Sequence, residues 1–480
     1  MPRPAARRPN DDANAPHRAP AEGRGLRARR EPTRRHRRVP GERRLRQALS
    51  PEGAPAILLQ PRRAPPHAAQ LLRRRLHRHP RVDRHRARRG GPVSVTLLDI
   101  VWAAVGAVAL VTAVSILGVS LVWLERKFLG RLQGRPGPNR VGPFGLLQPV
   151  ADGIKLLWKE DVSPGPSAKV LFYVAPLLVF VPSFVVWLTI PFTRDLALRN
   201  LDTSVFFFVA FSTLSIVGVL LAGWSAASKY SVLGGFRAAA QLVSYEIPLI
   251  VIAITMVALA GSMSFVDIVE AQRTVPYIAL VPLAAVLFFI AGLAEIGRTP
   301  FDIYLAESEV VGGPLVEYSG AHWAVFYLAE YGNTFLVGAL TALLFLGGWS
   351  WPFGTLPAPA AVALFLTKSY FVTVLIFWVR GTYPRLRIDQ MMSLGWKILI
   401  PLSFVTLVTV VVQRFYGWPS WTLTLMSLAT LALAAWLQTR LQGAPARALA
   451  EKYRRDAVVV QAKPRLHREA PAAAKVEASS

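Results

Sequence analysis

Cysteine is absent from all 480 residues. That excludes disulfides, cysteine-ligated zinc and iron–sulfur clusters within this chain. Histidine is scarce too: six of the eight lie before residue 90, which leaves His322 and His467. A haem held by histidine is therefore not expected, nor any redox centre carried by the chain itself. Charged residues make up only 17%, against about a quarter in soluble globular chains. Yet the formal net charge is +27, apolar residues make up 53%, and mean hydropathy is +0.37. A chain this apolar and this basic keeps its charge and its apolar surface in different places.

The first 92 residues hold 26 Arg, no Lys and seven acids (Asp11, Asp12, Glu22, Glu31, Glu42, Glu52 and Asp83), a net +19 that leaves +8 for the rest. Pro, Ala and Arg dominate, and no apolar periodicity runs through the segment, so it is not expected to fold alone. No apolar h-region follows its charges, so it does not read as a signal peptide. A basic arm for nucleic acid or anionic lipid fits such a composition, and so does a tail without a role. Arginine without lysine is also what GC-rich DNA yields when translated outside its own frame or start. Residues 1–92 are expected to be an extension of that origin, and nucleic acid is not expected as a partner.

From Val93 onward apolar runs recur, each long enough to cross a hydrocarbon core of ~30 Å with about 20 residues. Nine are legible, at 97–123, 168–191, 203–225, 240–260, 276–295, 323–348, 360–379, 395–413 and 418–438. So many runs with so few charges exceed one soluble core. The expected fold class is all-α: a polytopic membrane helix bundle over 93–438, about nine transmembrane helices plus an interfacial amphipathic helix, followed by a basic tail at 439–480. The segments 124–167, 226–240, 296–322, 380–397 and 439–480 carry 23 Lys and Arg, whereas the alternate segments carry four. Lys and Arg favour the cytoplasmic side, so the longer loops and the tail are expected there.

Those loops are too elaborate for simple connectors. Proline and glycine alternate from Gly134 to Pro138, so no helix continues through that stretch. Irregular backbone at a membrane surface is buried in protein or lines a cavity. Arg126, Arg131, Arg135 and Arg140 suit fixing the loop, gripping lipid phosphate or holding a partner's acids. In the following stretch, 144–158, Leu146, Leu147, Val150, Ile154, Leu157 and Trp158 follow helical spacing, with Asp152, Lys155 and Lys159 on another side. It is too short to span, so it is expected in the interface, as a membrane anchor or as a doorway for a lipid-soluble substrate.

Acids come next. Glu246 falls within the fourth run, Glu295 ends the fifth, Asp302, Glu307, Glu309 and Glu317 follow in the loop, and Glu330 lies in the sixth; Lys368 lies in the seventh. An ionisable group in a spanning helix is a functional candidate, because its burial costs several kcal/mol unless it is relieved. Crowded carboxylates titrate as a coupled unit and suit proton transfer. Any single loop acid has the alternative of pairing with Arg298. The last loop, from Arg380 through Arg385, Arg387 and Asp389, supplies balancing bases, and Arg237 lies on the approach to Glu246.

Together, Glu125–Asp161, Lys229–Pro248, Glu295–Tyr331 and Arg380–Leu402 resemble the family of H subunits of bacterial NADH–quinone oxidoreductase, respiratory complex I. The likeness runs from about Val95 to Trp436. It implies a multi-pass protein of the bacterial cell (inner) membrane that forms the membrane end of a quinone chamber and the acidic start of a proton-coupling pathway. Ubiquinone or menaquinone would be the substrate. NADH, FMN and iron–sulfur clusters would belong to partner subunits, among them the peripheral-arm quinone-site subunits and the antiporter-like membrane subunits. The family's quinone-binding positions fall on Glu125, Arg126, Asp152 and Lys155, with Leu146, Leu147 and Trp158 expected to face the quinone tail. Its proton-coupling positions fall on Glu246, Glu295, Asp302, Glu307, Glu309, Glu317 and Glu330, with Lys368 beyond them. Arg237, Arg298, Arg385, Arg387 and Asp389 would support these groups. Two places depart from the family pattern: Ile296-Gly297 stands where Thr-Asn is usual, and Tyr304-Leu305 where Pro-Glu is usual. An anchor subunit of a membrane-bound hydrogenase or a deazaflavin-dependent dehydrogenase is the alternative within this family. A self-sufficient ion transporter would show an internal repeat, and none is visible.

Overall fold

At membrane depth no water satisfies backbone N–H and C=O groups, so an apolar run satisfies them internally, as a helix. The computed structural model describes residues 97–350 and 356–436. Every regular element among these residues is helical. The expected extension at 1–92 and tail at 439–480 lie outside the described residues.

The chain opens with α1 (Leu97–Leu132), followed by the short helix α2 (Gln148–Trp158). Then come α3 (Lys169–Val185), α4 (Ser204–Ser225) and α5 (Lys229–Ala260). Three shorter pieces follow, α6 (Phe265–Ala271), α7 (Tyr277–Leu280) and α8 (Pro282–Glu295). A loop carrying the single turn α9 (Glu307–Val310) leads to α10 (Gly320–Phe345) and α11 (Ala358–Thr382). Next, α12 (Ile388–Leu394) runs through a π-helical turn into α13 (Ile400–Tyr416), and α14 (Trp421–Trp436) closes the described chain.

Among the described residues, seven helical stretches are long and apolar enough to cross a membrane, and α8 and α14 are apolar but shorter. The fourteen residues of α8 reach about 21 Å at 1.5 Å per residue, short of the ~30 Å core. The fifth run is broken because Pro282 disfavours helical geometry at Val281, whose φ is −132° and ψ 66°. Side chains of α14 tend the break: the Leu283 N–H donates to Ser427 Oγ at 3.0 Å, and Thr424 Oγ1 donates to the Ala279 carbonyl at 3.0 Å.

Several helices are longer than expected. α1 continues past 123 to Leu132, because the run of alternating glycine and proline begins only at Gly134. α5 begins at Lys229 rather than 240. α10 is the axis of the bundle: 83% of its most apolar stretch is buried, against 6% for α1. It packs against α1, α2, α3, α8 and α11. Buried aromatic rings fill the core around it, among them Trp187, Tyr245, Phe288, Phe335 and Phe345. The acidic loop after α8 is pressed onto α5 at Gly313 and Gly234. A Cβ on Gly234 would lie 2.8 Å from the Gly313 carbonyl carbon, so this approach requires glycine. Arg237 pairs with Glu309 at 2.6 Å, and Gln241 Nε2 donates to the carbonyls of Ala294 and Phe301, each at 2.8 Å. These bonds hold the loop over the helix ends.

Candidate functional site

The amphipathic stretch of α2 lies alongside α1 and α10. Phe144, Leu146 and Leu147 before the helix and Ile154 and Trp158 within it are exposed, as an interfacial segment requires, and the helix begins only at Gln148 because Phe144 takes a positive φ of 53°. Between the three elements opens a cavity of about 560 Å³. From α2 it is lined by Pro149, Asp152, Gly153, Lys155, Leu156 and Leu157, rather than by Leu146, Leu147 and Trp158. Those three are exposed outside the cavity instead, and Leu156 and Leu157 supply its leucines from α2. Arg126 and Asp152 form an ion pair across the cavity rim at 2.5 Å, and Gln148 Nε2 donates to Asp152 at 3.0 Å. Burial alone would raise the Asp152 carboxyl. The hydrogen bonds from Arg126 and Gln148 and the charge of Arg126 outweigh it and hold the group below the ordinary carboxylate range.

A second cavity, of about 480 Å³, shares the walls formed by Trp323, Tyr327 and Tyr331. These rings recur every four residues along α10, so they lie on one face of the helix. Trp323 and Tyr327 stack with centroids 4.9 Å apart, and the hydroxyls of Tyr327 and Tyr331 lie 3.2 Å apart. Its other walls carry six charged residues, Arg298, Asp302, Glu307, Glu330, Arg380 and Arg385, beside apolar ones such as Leu305 and Leu315. Of these, Arg298, only 3% exposed, pairs with Glu125 at 3.3 Å and with Glu330 at 3.2 Å. Arg380 also pairs with Glu125, and the Tyr331 hydroxyl donates to Glu125 Oε2 at 2.5 Å. The Arg298 guanidinium lies 4.5 Å over the Tyr331 ring. Asp302 pairs with Arg385 at 3.0 Å, yet burial pushes its carboxyl above the usual aspartate value against the pull of Arg385 and Arg298.

Two smaller cavities continue inward. One, of about 70 Å³, meets the polar cavity at Leu305, Leu315 and Glu330 and is also lined by Glu295, Tyr304 and Asn333. The other, of about 40 Å³, shares Ser215, Glu295, Ile296 and Asn333 with it and extends to Ser212 and Glu246. Both are polar enough and roomy enough to hold water. Glu246 accepts hydrogen bonds from Thr213 Oγ1 at 2.5 Å and Ser212 Oγ at 3.3 Å. Glu295 Oε2 has no hydrogen-bond partner. The arrangement is thus a string of four adjoining spaces, apolar at one end and lined by buried carboxylates at the other. Among the described residues no group of three or more His, Asp or Glu side chains is arranged to hold a metal ion.

Residues 105–411 match a family described as NADH dehydrogenase. The chain belongs to the NADH dehydrogenase family. Its relatives include proteins named as the H subunit of NADH-quinone oxidoreductase. That of Dehalococcoides mccartyi strain 195 is 49% identical over 287 residues, covering 60% of this chain and 80% of the relative. That of Geobacillus kaustophilus is 49% identical over 294 residues, covering 61% and 88%. That of Brevibacillus brevis is 45% identical over 315 residues, covering 65% and 94%.

In this member of the NADH dehydrogenase family, Arg126, Asp152 and Lys155 line the apolar cavity together. Glu125 points the other way, into the ion cluster around Arg298. The acids form no single group. Asp302, Glu307 and Glu330 line the polar cavity, and Glu295 and Glu246 lie further in. Glu309 is exposed and paired with Arg237, and Glu317 lines none of the four spaces. Lys368 donates to the carbonyls of Leu346, Gly348 and Ser350 at 2.8–3.0 Å, so it closes the C-terminal end of α10. Arg298 serves Glu125 and Glu330 rather than a loop acid. Arg387 and Asp389 begin α12, where the Arg387 N–H donates to Gln390 at 3.2 Å. Sequence reading missed the aromatic face of α10, although Trp323, Tyr327 and Tyr331 carried its signal in their spacing of four. It also missed Asn333 and Gln241, uncharged polar residues that no charge pattern picks out.

Proposed function

We propose that this chain is the membrane component of a proton-translocating NADH–quinone oxidoreductase in a bacterial cell membrane. Electrons reach the quinone from FMN and iron–sulfur clusters in partner subunits, and this chain provides the membrane end of the quinone passage and the first protonatable groups beyond it. The names of the relatives favour quinone reduction over the hydrogenase or deazaflavin-dehydrogenase alternative. The observation that carries the reading is the adjacency of the apolar and polar cavities through Trp323, Tyr327 and Tyr331. An isoprenoid tail fits the apolar space between α1, α2 and α10. Lys155 and the Arg126–Asp152 pair meet the polar head on its way past the aromatic face.

Reduction of the head group near the polar cavity brings negative charge, or a demand for protons, close to Arg298 and Glu330. A unit charge about 10 Å away is worth roughly 1.7 kcal/mol at an effective dielectric of about 20, or about one pKa unit. That suffices to redistribute a proton among neighbouring carboxylates that titrate as a coupled group. Glu330, Glu295 and Glu246 form the inward route, with Asp302 and Glu307 at its mouth. Antiporter-like partner subunits receive the effect. A quinone carrying a photoreactive group on its tail, irradiated in the intact complex, is expected to label peptides 149–157 and 323–331. Labelling confined to the outer face of α3 or α4 would contradict the reading.

A further inference from the structure

The two departures from the family pattern touch each other. Gly297 has a φ of 64°, and a Cβ there would lie 2.6 Å from Cε1 and 2.7 Å from Cζ of Tyr304. The missing side chain at 297 is therefore the space in which the Tyr304 phenol sits. Leu305, at the position of the usual glutamate, lines both the polar cavity and the 70 Å³ cavity behind it. Tyr304 lines that inner cavity beside Glu295, Glu330 and Asn333. So beside Leu305, where the resemblance expects a glutamate, a phenol lines the inner cavity, and Gly297 makes room for it.

We propose that the Tyr304 hydroxyl is a proton relay between Glu330 and Glu295, standing in for the carboxylate absent at position 305; this rests on the inward route described above. The phenol takes a proton at Oη from a water on the Glu330 side and releases its own to a water on the Glu295 side. It is neutral before and after, and one proton has crossed. A hydroxyl both donates and accepts, so a turn about the C–O bond restores the starting state. Burial, together with the charges of Glu330, Asp302 and Glu295, pushes the phenol far above its ordinary value, so the group does not trap the chain as a phenolate. The cavity has room for water, and its polar lining supplies the partners that water needs.

The test uses the intact complex in sealed membrane vesicles, with proton-to-electron ratio and quinone turnover as readouts. Tyr304→Phe keeps the ring and removes only the oxygen. It is expected to lower coupled proton translocation about tenfold or more. Tyr304→Phe with Leu305→Glu restores a protonatable group to the same cavity and is expected to recover pumping, which a merely structural role for Tyr304 would not produce. Replacing Tyr304 by difluorotyrosine nearly keeps the shape, retains the hydroxyl and makes the phenol more acidic, so the pH profile of pumping is expected to move to lower pH. That substitution decides the matter alone if the Phe variant does not assemble. Glu246→Gln serves as the control for the route itself. If Tyr304→Phe pumps like the parent while Glu246→Gln does not, the relay is wrong and the route stands. If Glu246→Gln also pumps like the parent, the route is wrong. A loss in Tyr304→Phe that Leu305→Glu does not repair, with an unmoved difluorotyrosine profile, would assign Tyr304 to packing and overturn the proposal.

Discussion

The two larger cavities meet at one face of α10 and are similar in volume, about 560 and 480 Å³, yet their walls differ in kind. Leucines and glycines of α1, α2 and α10 line the first, with charge at its rim. Three arginines and three carboxylates line the second. Trp323, Tyr327 and Tyr331 belong to both, and aromatic groups with an apolar body and a polar tip suit that boundary. In the proposed function, that difference lets an apolar molecule enter sideways from lipid while its head meets charge. The apolar side needs only shape, whereas the polar side needs each charge to be held.

The largest expected effect comes from removing the residue that holds the polar side together. Arg298→Met leaves Glu125 without one of its partners and Glu330 without its buried cation. Breaking a buried pair typically costs about 3–5 kcal/mol, so little assembled complex is expected on native gels and what remains should melt early. A parent-like yield and melting profile would show that Arg380 and Tyr331 hold Glu125 unaided.

The apolar side is expected to respond to shape alone. Gly153 lines the cavity, a Cβ there meets no atom within 4 Å, and Gly153→Leu is expected to fill cavity space and favour the helix. Its KM for long-tailed quinones is expected to rise about tenfold, roughly 1.4 kcal/mol of binding, with short-tailed analogues little changed. An equal effect on both would remove the tail from this cavity. Lys155→Ala should lower quinone turnover several-fold without affecting assembly, since the side chain lines the cavity rim and supports no buried group. The smallest effect belongs to Glu309→Gln. This exposed acid forms a surface pair with Arg237, of a kind worth about 0–1 kcal/mol, and pumping is expected to match the parent.

The apolar runs announced the helix bundle, because nothing but a helix satisfies the backbone in lipid. Their ends were less legible. The charged stretch from Glu125 to Leu132 read as loop, but it holds no proline and only one glycine, Gly130, and it extends α1 out of the core. The break at Val281 could be read from Pro282, whereas its repair by Ser427 and Thr424 could not, being a contact over about 145 residues. The carboxylates were visible as residues, but not their division. Burial and distance set that division, sending Glu125 to Arg298, leaving Glu309 at the surface and placing Glu295 between two small cavities. Lys368 stood out as a charge in an apolar run, and only the fold over Leu346–Ser350 shows it as the closure of a helix end.

The comparison between the two sides matters only if what happens at the polar cavity travels inward, and in the proposed route Glu295 is the step between the two small cavities. Its side chain lines both small cavities and its Oε2 has no partner to lose, so Glu295→Gln changes the ability to carry a proton with little change of shape. The proton-to-electron ratio of the Glu295→Gln complex should be measured in sealed vesicles during quinone reduction. The expected result is an assembled complex whose proton translocation falls to a small fraction of the parent's. A parent ratio at parent turnover would contradict the inward route from the quinone passage to the buried carboxylates.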